Sequence, residues 1–149
     1  MNKRINIQEL EPNAYKAMLG LEQYLSNCGL SKTHHHLILI RASQINGCAF
    51  CINMHTSDAV KDGERPERIY LLNAWKEADI FTEEEQVILA MTEEITLISK
   101  NGLSEDTYQK AKEIFDDHYI AKIIMAVVTI NGWNRIAIST QKIPEFTKA

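Results

Sequence analysis

The stretch Arg41–Asp58, Arg-Ala-Ser-Gln-Ile-Asn-Gly-Cys-Ala-Phe-Cys-Ile-Asn-Met-His-Thr-Ser-Asp, constrains this chain more than any other. Asn46-Gly47 is a turn dipeptide, so a helix arriving there stops and a new one starts at or near Cys48. Each helical residue advances about 100° around the axis, which puts positions i, i+3 and i+7 within roughly 60° of one another. Cys48, Cys51 and His55 hold those positions and share one face. Unpaired N–H groups and the helix dipole favour thiolate over thiol, so cysteines at a helix start have pKa values below the reference of about 8.5. His55 can serve as a cation beside a thiolate or as the base that takes its proton. A plainer reading is two small core residues with a polar neighbour, and the restrictive spacing weighs against it.

At 149 residues the chain has the length of one domain, 1–149, able to bury a core without staples. The balance of 16 basic against 20 acidic residues, with no basic stripe, argues against nucleic acid as a partner. No apolar run reaches membrane length, and Met1–Leu10 lacks the apolar core of a signal peptide. A cytoplasmic protein is expected. An odd number of cysteines, 3, fits a reducing compartment with one catalytic pair better than a secreted disulfide framework.

Periodicity predicts an all-α bundle of about six to seven helices, with the CxxC pair opening a central one. After an extended lead-in over Met1–Leu10, Pro12 starts a helix to about Asn27, with Ala14, Met18, Leu21 and Leu25 facing inward and Gly29 closing it. Cys28 reads as a small structural residue. Ser31 or Thr33 caps a second helix to about Asn46, apolar on more than one side and therefore buried. His34, His35 and His36 open it, and since successive side chains point about 100° apart, at most one or two can serve a common site.

The third helix runs from Cys48 to Lys61. A short one follows over Glu67–Trp75, packing on Ile69, Leu72 and Trp75. Thr82 and Glu85 form a capping box for a helix to about Ser99, its triple Glu read as a solvated cap rather than a metal site. Ser104 starts a helix to about Phe115. Asp116 or Asp117 caps the last, long helix, from His118 to about Ser139. Its run from Ile123 to Ile130 is apolar enough to be buried on most faces or pressed against another subunit, and Gly132 suggests a bend or a close helix contact.

Ser43-Gln44-Ile45-Asn46-Gly47-Cys48 followed by Cys51 and Met54-His55, Leu71-Leu72-Asn73-Ala74-Trp75, and Asn131-Gly132-Trp133-Asn134-Arg135 together resemble the carboxymuconolactone decarboxylase-like superfamily, in its alkylhydroperoxidase D (AhpD-like) branch. The resemblance spans nearly the whole chain. It implies an all-helical fold in symmetric homo-oligomers, trimers or hexamers, and a redox-active CxxC that reduces a small peroxide at the expense of an external thiol or dithiol reductant protein. Cys51 near His55 would then attack the peroxide and Cys48 resolve, whereas the dipole alone favours Cys48 as the more acidic thiol. The branch carries a Glu twelve residues before the first cysteine, in a proton relay of Glu, two Cys and His. Here His36 stands there. A histidine passes protons but supplies no negative charge, and when protonated it lowers nearby thiol pKa values. Phe50, between the cysteines, also departs from the polar residue often found there.

The leading expectation is a thiol peroxidase or disulfide oxidoreductase built on Cys48, Cys51, His55 and His36, with no cofactor and no resident metal. Two alternatives stand beside it: a Cys2His2 metal module formed by the same four side chains, and an oligomeric scaffold or redox sensor with little turnover. The resemblance also implies that lactone decarboxylation, the superfamily's other activity, is not expected here, because the branch with that activity typically lacks the CxxC pair. Trp75, Trp133 and Tyr70 read as core or interface anchors. Asn131, Asn134 and Arg135 would line the pocket or an interface.

Overall fold

The computed structural model describes residues 4–144. Its described residues form nine α-helices and one 3-10 turn, with no strand among them. The expected all-α bundle is therefore observed, with two single-turn helices added to the seven expected. The first addition is α1 (Ile7–Leu10), begun where the Asn6 side chain accepts the Gln8 N–H. It interrupts the expected extended lead-in, of which Met1–Lys3 lie outside the described residues. α2 (Pro12–Asn27) follows, and Gly29 turns the chain with φ +80°. Its inward face uses Tyr15, Met18, Leu21 and Leu25, while Ala14 is exposed.

Ser31 caps α3 (Lys32–Asn46) by accepting the His34 N–H. The unbroken run Leu37–Ile40, followed by Ala42 and Ser43, is buried, so this helix threads the middle of the bundle. α4 (Ala49–Lys61) begins at Cys48, and α5 (Pro66–Tyr70) passes into the 3-10 turn Leu72–Ala74. The short helix thus ends earlier than its expected span to Trp75. Even so, Ile69, Leu72 and Trp75 pack together against Leu37, Ile40 and Ala59.

α6 (Glu83–Thr96) carries the expected capping box between Thr82 and Glu85. It stops three residues before the expected Ser99, and a separate turn, α7 (Ile98–Asn101), continues the chain. The triple Glu is only partly a solvated cap. Glu85 is buried and paired with buried Arg68 at 2.6 Å, while its Oε2 also accepts the Thr82 N–H. Losing one partner would leave the other charge uncompensated, a cost of about 3–5 kcal/mol.

α8 (Glu105–Ile114) and α9 (Asp117–Ser139) start at Ser104 and Asp116. Ile123, Ala126, Val127 and Ile130 of α9 meet Ile38 and Ala42 of α3 and Ile88 and Met91 of α6 in the main core. Each such aliphatic side chain contributes roughly 1.5–3 kcal/mol by leaving water. Gly132 makes the close helix contact: a β-carbon there would sit 2.9 Å from Met18 Cε on α2. This arrangement of α3, α4 and α9 holds the CxxC turn in place.

Candidate active site

Gly47 ends α3 in the left-handed region, at φ 68° and ψ 33°. Its N–H bonds to Gln44 O at 3.2 Å, and the Cys48 N–H bonds to Ser43 O at 3.0 Å, the paired bonds of a Schellman closure. The reversal is pinned from the side. Asn46 Nδ2 donates to Asn131 Oδ1 at 3.0 Å and to Asn134 Oδ1 at 2.9 Å, and Asn134 Nδ2 donates to Ser43 Oγ at 3.0 Å. Asn134 is fully buried, so these bonds offset a desolvation that would otherwise cost about 1–3 kcal/mol. Two sequence motifs far apart in the chain, around Ser43–Asn46 and Asn131–Asn134, thus exist to fix one turn. Arg135 stays at the edge, donating to Asn131 O and Oδ1.

Cys48 is the N-cap of α4, and its Sγ accepts the Cys51 N–H at 3.3 Å. A sulfur in that place faces the positive end of the helix, where a thiolate is stabilised. Cys48 and Cys51 are joined as a disulfide with Cα atoms 5.3 Å apart. Both are only 2% exposed, packed with Ala137 of α9 and Phe50. Lys142 Nζ lies 4.2 Å from the centre of the Phe50 ring, so the C-terminal end of the described chain covers this side. Cys28 is the free thiol, half-buried and donating to Leu25 O.

His55 follows Cys51 by one turn. Burial pushes its pKa down to about 4; Asp58 opposes the shift, and the charges of His35 and His36 add to it. The ring is therefore neutral near pH 7. Of the three consecutive histidines, His34 turns away to Tyr119, its Nδ1 2.7 Å from the hydroxyl. His35 and His36 are near enough to His55 for their charges to act on it. Burial, then the charge of His36, lowers the pKa of His35.

His36 Nε2 is 2.8 Å from Asp62 Oδ2. Nδ1 of His36 and Nε2 of His35 are buried without a hydrogen-bond partner. Asp62 was missed from the sequence, although it carried a signal. It lies seven residues beyond His55, on the stripe of α4 that holds Cys48, Cys51, His55 and Ala59. The Cys2His2 set does not assemble: the sulfurs bond each other and His36 is engaged by Asp62. Among the described residues no group of three or more His, Cys, Asp or Glu is placed to hold a metal ion.

Trp75 is buried and donates to Glu93 at 2.8 Å, and half-buried Trp133 donates to Glu22 at 2.7 Å, whereas Tyr70 is exposed. Among the described residues no helix is long and apolar enough to cross a membrane.

Residues 12–94 match the carboxymuconolactone decarboxylase family. The uncharacterized protein YdfG of Bacillus subtilis is 41% identical over 139 residues, 93% of this chain and 95% of that protein. A crystal structure from Agrobacterium tumefaciens, of a protein of unknown function with a suggested place in antioxidant defence as an AhpD, superimposes with TM-score 0.94 at 37% identity. It covers 98% of this chain and 100% of that one. An uncharacterized peroxidase-related protein from Silicibacter sp. TM1040 shares the fold at TM-score 0.76 and 22% identity, over 94% of this chain and 72% of its own. The helical order, the CxxC turn and these matches agree: the chain belongs to the carboxymuconolactone decarboxylase family and has the AhpD-like fold.

Proposed function

We infer that the protein is a thiol-dependent peroxide reductase of the alkylhydroperoxidase kind, turning over through Cys48 and Cys51. The carrying observation is the closed Cys48–Cys51 pair at the start of α4, with one sulfur on a backbone N–H. The neutral base His55 shares the same helix face. An external dithiol first reduces the bridge, giving two thiols and its own disulfide. A thiolate then attacks a peroxide ROOH: an S–O bond forms, the O–O bond breaks, and RO⁻ leaves to take the thiol's proton as ROH. The second thiol displaces the sulfenic oxygen as water and restores the bridge. His55 holds the proton between thiol and leaving group.

The suggested antioxidant role of the Agrobacterium relative supports this reading. A homo-oligomer and a cytoplasmic dithiol protein as electron donor belong to the same proposal; exposed apolar side chains such as Tyr70, Leu71 and Ile98 supply faces for assembly. Cys48→Ser and Cys51→Ser should each abolish dithiol-dependent peroxide consumption, and undiminished turnover in either variant sinks the mechanism. A sulfenic acid probe added after peroxide labels whichever single-cysteine variant keeps the attacking thiol. The near-complete burial of both sulfurs favours one rival, a redox-sensing scaffold, which would form and open the bridge reversibly while consuming no peroxide catalytically.

A further inference from the structure

The structure brings the carboxylate at the end of α4 to His36 of α3, 26 residues earlier in the chain. We propose that Asp62 is a positioning residue of the thiol site: it accepts the Nε2–H of His36 and so leaves Nδ1 as a bare proton acceptor on the buried side. The inference rests on the peroxidase reading for its consequence in turnover, but the geometry stands apart from it.

Three observations carry the proposal. The His36 Nε2 to Asp62 Oδ2 distance is 2.8 Å, and a carboxylate at neutral pH can only accept, so the proton sits on Nε2. His36 Nδ1 is buried and unpartnered, so no second group competes with Asp62 in setting the tautomer. Asp62 stands at the end of the α4 stripe that begins with the two cysteines and carries His55 between them. At about 1.5 Å per residue, His55 to Asp62 is roughly 10 Å along the axis, and His36 lies near enough to His55 for its charge to act on that ring.

The Asp62 carboxyl is held below the usual carboxylate range, first by the His36 hydrogen bond and then by Lys32, whose Nζ is 3.6 Å from Oδ1. It is therefore charged at neutral pH. Beside the dyad lies a cavity of about 330 Å³ lined by Lys32, His36, Asp62, Glu64, Arg65 and Arg68, on the side of α4 away from Phe50 and Lys142. The thiol proton is taken by His55 and returns from it to RO⁻, so the oxidation step balances, while the Asp62 carboxylate keeps the His36 ring, whose charge acts on His55, in one orientation.

The test uses full-length protein labelled with ¹⁵N-histidine, the His36 signals assigned from His36→Gln. Wild type should show a single neutral His36 tautomer, protonated at Nε2. In Asp62→Asn the tautomers should mix, because an amide can accept from or donate to Nε2. Asp62→Glu should restore the single form. Lys32→Gln, which removes the other Asp62 partner, should leave the tautomer unchanged. Dithiol-dependent peroxide turnover should fall about tenfold in Asp62→Asn, part of the roughly 10²–10⁴ that a positioned base supplies, and recover in Asp62→Glu.

A wild-type His36 protonated at Nδ1, or an Asp62→Asn protein with the same tautomer and turnover as wild type, overturns the role of Asp62. A held tautomer in a protein that consumes no peroxide instead rejects the peroxidase reading and leaves the dyad standing.

Discussion

At the scale of single residues, what a side chain does here depends on what surrounds it. His55 shares a face with the cysteines by spacing alone, but spacing leaves the charge of its ring open. Burial sets that charge, by pushing the pKa down to about 4. Stability follows with a definite sign. Between pH 6.5, where an unfolded histidine titrates, and about 4, the unfolded chain binds a proton at this position that the folded chain does not, so acidification destabilises. His34 and His35, also lowered by burial, act in the same direction. Urea unfolding at pH 7 and pH 4.5 should show His55→Gln losing less stability than wild type, by up to about 3 kcal/mol. Equal losses in the two proteins would mean that His55 is solvated. Asp62 shows the converse limit: its stripe position was legible, but its bond to a residue 26 positions earlier was not.

At the scale of elements, caps were the most readable feature because each is a local contest for a few backbone N–H groups. Ser31, Thr82, Ser104 and Asp116 all cap the helices assigned to them. Gly47 makes the decisive stop, since φ 68° costs a residue with a β-carbon about 1 kcal/mol or more. Nothing lies within 4 Å of a β-carbon built there, so the cost is purely backbone. Gly47→Ala should therefore lower unfolding stability by about 1 kcal/mol, and Gly47→Asn by less, because Asn tolerates this conformation. An Ala variant as stable as wild type would contradict the left-handed closure. Less readable were the ends set by tertiary contacts. α6 breaks after Thr96, beside Asn131 of α9, whose Nδ2 donates to Thr96 Oγ1. Glu85 left the solvated cap because Arg68 needed a buried partner.

At the scale of the whole molecule, the core on α3, α6 and α9 is built of aliphatic side chains, and the Cys48–Cys51 bridge packs in a separate cluster with Ala137 and Phe50. The bridge closes a loop of only four residues, Cys48 to Cys51, and constrains the unfolded chain by about 2 kcal/mol. Reduced protein should keep its helical far-UV circular dichroism while its urea midpoint falls by no more than that amount; unfolding on reduction would show that the fold depends on the bridge. Periodicity, caps and turn dipeptides determined the all-α class, nearly every helix and the shared face of Cys48, Cys51 and His55, because each rests on interactions within a few residues. Tertiary structure alone decided that His34 turns to Tyr119 while the charges of His35 and His36 act on His55, that Asn46, Asn131 and Asn134 lock the turn, and that Asp62 reaches His36. Those outcomes depend on desolvation and on hydrogen bonds between α3, α4 and α9, and packing sets both only after the helices have met.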